Sequence, residues 1–488
     1  MSNINYDIEY NLSAKHEAFP YQHEAFLEIK DKEYAAIFHE QGLGKTKIAI
    51  DLLLYWLDKR DIDTVLIVTK KTLVNNWCEE FKNHTNIIPK TIDNKHGCNY
   101  YVFNSTARVI VTNFETISGE LERIKLFLNT RNVAIIIDES TKIKNPDAKL
   151  TQNFFEIAPL FKIRIIMTGT PVANRPYDIW SQIFFLDQGK SLGKNYDIFK
   201  KECDLSNDLE SDIGQRNVFE KSVSAIFNKI KSFSVRETKN SGIISLPNKL
   251  YHDIYNGFEK RQNEMYEEVR SEMRILLKKG DKSILDESTD TIKRLLRLVQ
   301  IASNPKLLDD SYQTISAKEV LLDKTINEIM ERNEKVIVWS IFTGNIDQFC
   351  RKYKYLNACK ITGKMNIDER NQSVADFKNG KARVLFATPQ SAKEGLTLTV
   401  ANNAIFYDRG FNLDDYLQAQ DRIHRISQQK DCNIYNLMIE KSIDVWVDVL
   451  LKAKQRAAYL AQGDITLAKY KSDADYSFAR IIHEILKD

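Results

Sequence analysis

Ten short runs of apolar, largely β-branched residues limit the fold of this chain more than any other feature. Five fall in residues 34–168 (YAAIFH, DTVLIVT, ARVIVT, NVAIIID and KIRIIMT), and five in residues 335–439 (KVIVWS, NACKIT, ARVLFAT, NAIFYD and CNIYNLMI). The runs are continuous rather than alternating, so each predicts a strand buried on both faces, as parallel sheets require. Amphipathic helical patterns lie between them, for example KIAIDLLLYWLDK, TLVNNWCEEFKNH, IDERNQSVADFKNG and NLDDYLQAQDRIHR. Strands that alternate with helices imply right-handed crossovers and a doubly wound sheet. The sequence makes this arrangement twice.

The expected class is therefore α/β, with two tandem doubly wound parallel-sheet lobes and helical insertions. The first lobe is assigned to residues 1–245, with a helical insertion at about 176–240. The second covers 246–488, with a helical insertion at about 255–310 and helices at its C-terminal end that pack back on it. A length of 488 residues accommodates both. At 43% hydrophobic and 28% charged residues the chain is an ordinary globular one, which excludes disordered and collagen-like classes.

No run approaches the roughly 18 apolar residues of a membrane-spanning helix, and the opening MSNINYDIEY lacks the character of a signal peptide. The six cysteines form no C-x-x-C pair, which argues against a disulfide framework or zinc site. These features predict a cytoplasmic protein with no membrane partner. Its richness in Lys, Asn and Ile reads as an AT-rich genome of bacterial, viral or mobile-element origin. Lys and Arg number 70 against 67 Asp and Glu, a net charge of +3. That excludes a histone-like positive coat but not a local basic groove.

Chemistry enters after the first strand run, in EQGLGKTKIAI. Gly42 and Gly44 allow a tight turn whose N–H groups, with that of Leu43, can face phosphate oxygens. Lys45 can reach the β and γ phosphates of a nucleotide, and Thr46 can ligate Mg²⁺ at the start of a helix. His39 stands where the full motif has its first glycine, and a Gly-rich helix start is the plain alternative. NVAIIIDES then sets Asp138 and Glu139 at a strand end, where hydrolysis needs one carboxylate on the metal and another on the attacking water. Further on, YLQAQDRIHRISQ supplies Arg422 and Arg425, with Gln418 four residues before Arg422. On one helical face these would bring positive charge to the γ-phosphate. A solvated basic face is the alternative.

These segments together resemble Swi/Snf-type ATPases of helicase superfamily 2, over residues Phe19 to about Asp444. FPYQ resembles the family's adenine-reading Q motif, which implies that Gln22 contacts the base. EQGLGKT resembles its Walker A turn, DESTKIKN its motif II and MTGTPVANRPYDIWS its motif III, in which Gly169 lies at the γ-phosphate. LRLVQIASNP, KVIVWSIFT, ITGKMNIDERNQSVADF, GLTLTVAN and QAQDRIHRISQ follow in family order, the later ones as motifs IV to VI.

The resemblance implies two RecA-like lobes that bind ATP and Mg²⁺ between them, with Gln418, Arg422 and Arg425 contributed by the second. It further implies sequence-independent DNA contact, chiefly to phosphates, through Thr69, Lys70, Thr112, Asn113, Thr362, Gly363 and Thr388. Each of these has an alternative as a strand-end hydrogen-bonding residue. The expected activity is translocation on double-stranded or branched DNA, for which a monomer suffices. A strand-separating helicase or branch-migration motor is the alternative within enzymes, and a DNA-binding adaptor with a dead ATPase the alternative outside them. Two departures from the family pattern stand out. Ser140 and Thr141 replace the Ala and His common in motif II, and ATPQSAKEGLTLTVAN lacks a glycine pair common in chromatin remodellers. Both lean toward the annealing-helicase and viral branches, and motif III is then expected to be reached through a hydroxyl.

Overall fold

A computed structural model describes residues 11–59, 62–93, 96–239, 241–242, 246–278, 289–391, 396–477 and 480–481. Part of the motif V stretch (392–395) and the side chain of Lys293, in a basic run at 293–297, lie outside these residues. The chain divides into two compact units, each with its own parallel sheet.

The first unit comprises Met1–Asp204, Phe219–Ile244 and Ala458–Thr466. Its seven strands are β1 (Tyr34–Ile37), β2 (Thr64–Thr69), β3 (Lys90–Thr91), β4 (Val109–Asn113), β5 (Val133–Asp138), β6 (Ile163–Met167) and β7 (Ser234–Val235). The sheet order is β3-β4-β2-β5-β6-β1-β7, and every pairing is parallel. β2, β4 and β5 are buried along their whole length because helices cover both faces. One core joins Ile37, Ile67, Val111, Ile136 and Ile165 from the strands to Leu53 and Trp56 of helix Lys45–Lys59. Each such aliphatic side chain contributes about 1.5–3 kcal/mol when fully buried.

The second unit comprises Leu205–Val218, Ser245–Ala457 and Leu467–Asp488. Its strands are β8 (Lys249–Asn256), β9 (Val336–Trp339), β10 (Cys359–Ile361), β11 (Val384–Ala387), β12 (Asn403–Phe406) and β13 (Cys432–Ile439). They run in the order β10-β11-β9-β12-β13-β8, again all parallel. Alternate residues divide between two cores: Ile337, Leu385, Phe406 and Ile434 face one side, and Val338, Phe386, Ile405 and Leu437 the other. A third core forms where helices Lys260–Lys278 and Thr289–Ser303 meet the first turns of helix Ile443–Ala461, through Tyr266, Leu298, Trp446 and Leu450.

All ten sequence runs are strands, and three further strands escaped the reading. β3 and β7 have only two residues each, and β7 falls inside the stretch at 176–240 that was expected to be helical. β8 is an edge strand with Leu250, Tyr251 and Tyr255 exposed, so it carries no buried run.

Candidate nucleotide site

Sheet order explains why distant motifs meet in the first unit. β5, β6 and β1 are neighbours, with Asp138 paired in register to Met167 and Met167 to Ile37. The segments leaving their C-terminal ends are therefore the GLGKT turn, the Asp138–Glu139 pair and the turn Thr168–Pro171. Open α/β sheets bind ligands at this edge.

The turn itself is shaped by glycine. Gly42 and Gly44 have φ of 89° and 69°, the left-handed region that glycine tolerates. A Cβ on Gly44 would also come within 2.1 Å of Gln22 Nε2. Lys45 begins helix Lys45–Lys59, with Thr46 next, so the first-turn N–H groups present an anion-binding end toward the turn. Lys45 Nζ folds across the turn and donates to the carbonyls of His39 and Glu40, at 3.0 and 3.2 Å. Gly169 packs against the same turn. A Cβ there would lie 2.7 Å from Gln41 Cγ and 3.4 Å from Lys45 Nζ.

Helix Pro20–Ile29 braces the turn from the other side. Gln22 Oε1 accepts from the Phe19 N–H at 3.0 Å, which helps to cap the helix. Tyr21 Oη and Gln22 Nε2 both donate to the buried Leu43 carbonyl, at 3.2 and 3.3 Å. The Gln22 amide, expected to read a base, here holds the turn. The Tyr21 ring stacks on His39, with centroids 6.1 Å apart. Burial, with the Lys45 ammonium second, lowers the His39 pKa to about 4, so this imidazole is neutral near pH 7.

Asp138 and Glu139 are held differently. Both hydrogen bonds to Asp138 fall on Oδ2, from Thr69 Oγ1 at 3.1 Å and Trp77 Nε1 at 2.9 Å. Desolvation, followed by the adjacent Glu139 charge, pushes the Asp138 carboxyl up to about 6. A bound cation would reverse that balance. Glu139 adopts φ 58° and ψ 51°, a left-handed backbone that is rare and costly for a non-glycine residue. Its Oε2 is buried without a hydrogen bond among the described residues, and Lys70 Nζ is 3.9 Å away. Asp138, held through Oδ2 with no donor to Oδ1 among the described residues, fits a divalent cation at Oδ1, and the hydrogen-bond-poor Glu139 oxygen fits a water molecule. Trp77 also packs into the core of this unit, and its indole N–H is a contact to Asp138 that no local motif in the sequence announces.

Other expected residues lie elsewhere. Thr69 spends its hydroxyl on Asp138, Thr112 on the Ile92 carbonyl at 3.1 Å, and Thr388 on Ser391 at 2.6 Å; all three are buried. Asn113 Oδ1 caps helix Phe114–Gly119 by accepting from the Thr116 N–H at 2.9 Å. These four side chains make contacts of the strand-end kind named as the alternative to phosphate binding, and Thr362 is also buried. Lys70 is partly exposed and Gly363 is exposed.

In the second unit, the expected helical face with Arg422 and Arg425 does not form. The helix ends at Gln420 and both arginines occupy the following turns. There they satisfy carbonyls that the helix end leaves without partners: Arg422 Nε donates to Gln418 O, and Arg425 Nε to Asp421 O, both at 3.1 Å. Their outer nitrogens reach Leu396 O at 3.3 Å and Thr397 Oγ1 at 2.7 Å. The Gln418 amide donates to Asp414 at 2.8 Å within its own helix.

Comparison with known proteins gives a consistent picture. The SNF2-related domain matches residues 24–307 and the helicase conserved C-terminal domain residues 318–427. The chain is similar to the ISWI chromatin-remodeling complex ATPase ISW1 of Saccharomyces cerevisiae, 26% identical over 483 residues, covering 91% of this chain and 40% of that protein. It is 28% identical over 437 residues to the human SWI/SNF-related matrix-associated actin-dependent regulator of chromatin subfamily A member 1, covering 83% and 39%. An uncharacterized ATP-dependent helicase of Mycoplasma pneumoniae is 27% identical over 436 residues, covering 88% and 40%. A solved structure, the Sulfolobus solfataricus SWI2/SNF2 ATPase core in complex with dsDNA, aligns with 95% of this chain and 98% of that one, at 21% identity and a TM-score of 0.43. The chain spans about 40% of the length of these curated relatives. Among the described residues no helix is long and apolar enough to cross a membrane.

Proposed function

The chain belongs to the SNF2-related family, and from that membership we propose that it is a DNA-dependent ATPase that translocates on double-stranded or branched DNA. The observation that carries the reading is the convergence of Lys45, Asp138, Glu139 and Gly169 at the ends of three adjacent strands. Phosphoryl transfer asks mainly for positioning and charge neutralisation, and these residues offer both.

Lys45 neutralises phosphate charge within the glycine turn. Thr46 and Asp138 would hold Mg²⁺, which when bound neutralises the phosphate oxygens it touches. Trp77 and Thr69 orient Asp138 for that task, and Glu139 orients the attacking water. Arg422 and Arg425 are proposed from family position to supply guanidinium charge to the transferring phosphoryl group. DNA contact falls to exposed positions such as Lys70 and Gly363, and to backbone N–H groups beside the buried threonines. Such contact is salt-sensitive and indifferent to sequence.

The deciding experiment compares ATP turnover with no DNA and with single-stranded, duplex and forked DNA, alongside strand displacement on the fork. Stimulation by duplex without displacement is expected. Displacement would favour a strand-separating motor, and absence of any stimulation would leave an adaptor. Lys45→Ala should abolish turnover and leave salt-sensitive DNA binding in place; undiminished turnover would remove the turn from the reaction.

A further inference from the structure

Ser140 follows the left-handed Glu139 directly and is fully buried. Its Oγ donates to Gln182 Oε1 at 2.7 Å. Gln182, also fully buried, lies on helix Trp180–Asp187, and its Nε2 donates to the carbonyls of Pro171 at 2.8 Å and Asp178 at 2.9 Å. Carbonyl oxygens only accept, so the amide nitrogen must face Pro171 and Asp178. The amide oxygen must then face Ser140, whose hydroxyl can only be the donor. The network has one consistent orientation.

Pro171 closes the turn Thr168–Pro171, whose other end is tied to the nucleotide site. The Thr168 N–H donates to the Ile37 carbonyl at 3.1 Å, and Gly169 lies against Gln41 and Lys45. A continuous path thus runs from the glycine turn through Gly169, Pro171, Gln182 and Ser140 to Glu139. Its only side chain-to-side chain link is the bond between Ser140 and Gln182.

We infer that Ser140 and Gln182 are positioning residues that set Glu139 from the Thr168–Pro171 turn, so that the turn and the carboxylate shift together. This rests on the reading of the site as an ATP hydrolase. Neither residue reaches the nucleotide in this role, and both act through Glu139. The pair is the hydroxyl connection to motif III anticipated where Ser140 replaces the family's usual alanine.

A mutant cycle separates this role from simple packing. Ser140→Ala leaves the Gln182 amide oxygen without its donor, and Gln182→Leu leaves the Ser140 hydroxyl and the Pro171 and Asp178 carbonyls without theirs, so both should lower Tm, the second more. The double variant removes the Ser140 hydroxyl together with its partner but still leaves the two carbonyls without the amide donor, so its Tm should match that of Gln182→Leu rather than fall further. With saturating duplex DNA, its kcat is expected to stay about tenfold below wild type, with KM for ATP unchanged, because the carboxylate has lost its setting. Ser140→Thr keeps the hydroxyl and should retain most of kcat, and Gln182→Met offers a second disruption with little change of volume. A double variant that is folded at the assay temperature and keeps wild-type kcat would overturn the inference, as would Ser140→Thr with unchanged Tm and a kcat as low as that of Ser140→Ala. A wild type that turns over no ATP would overturn the hydrolase reading along with it, whereas an active wild type with an indifferent double variant overturns only the pair.

Discussion

Glu139 combines a strained backbone with a buried carboxylate oxygen that has no hydrogen bond among the described residues. Both features lower stability, and a position selected for stability alone would hold glycine. Glu139→Gly should therefore raise stability by about 1 kcal/mol, with Tm up by about 2–4 °C, while ATP turnover is lost. A fall in Tm on thermal unfolding would show that the left-handed backbone is not strained. His39 poses a different conflict, since its folded-state pKa of about 4 lies below the ordinary 6.5. The unfolded chain takes up a proton that the folded chain refuses. The stability present above pH 6.5 is therefore lost as pH falls toward 4, by at most about 3 kcal/mol from this one group. His39→Gln should flatten the stability profile across that window. An unchanged profile would mean that the imidazole protonates in the folded state.

The turns after Gln420 carry the second unit's expected contribution, and there the prediction concerns an element rather than a contact. Arg425→Ala should lower kcat much more than nucleotide affinity, since a guanidinium acting on the transition state adds little to ground-state binding. An unchanged kcat would leave Arg425 with only its local bond to Thr397. The same element shows where the sequence stops being legible. Its amphipathic pattern continues past Gln420, but the side chains of Arg422 and Arg425 cap carbonyls and redirect the chain. Strands buried on both faces announce themselves as apolar runs, whereas edge strand β8 and the two-residue strands β3 and β7 bury too little to leave a pattern. The glycine turn and the Asp138–Glu139 pair were legible because each is a local motif. The bonds from Trp77 to Asp138 and from Ser140 to Gln182 span 61 and 42 residues, and only the sheet order brings those partners together.

Across the whole molecule, each compact unit is assembled from three separate stretches of chain. In the first unit the late stretch Ala458–Thr466 is fastened by Asp464, which accepts from Arg236 Nε at 2.6 Å. The same guanidinium donates to the Phe38 carbonyl, just after β1, at 2.8 Å. The two side chains are only 8% and 15% exposed, so Asp464→Ala strands a largely buried charge and should cost about 3 kcal/mol in thermal unfolding. Glu210→Ala is the matched control. It breaks an exposed pair with Arg480 and should change stability by less than about 1 kcal/mol. Equal effects of the two would deny the late stretch its fastening role. This interleaving also bears on heredity. A recombination event at the junction between the two sheets would bring in a second sheet together with a foreign version of Ala458–Thr466. Homologous halves can then be exchanged only where Arg236 meets a compatible acid, so the two sheets are expected to be inherited together rather than shuffled as independent modules.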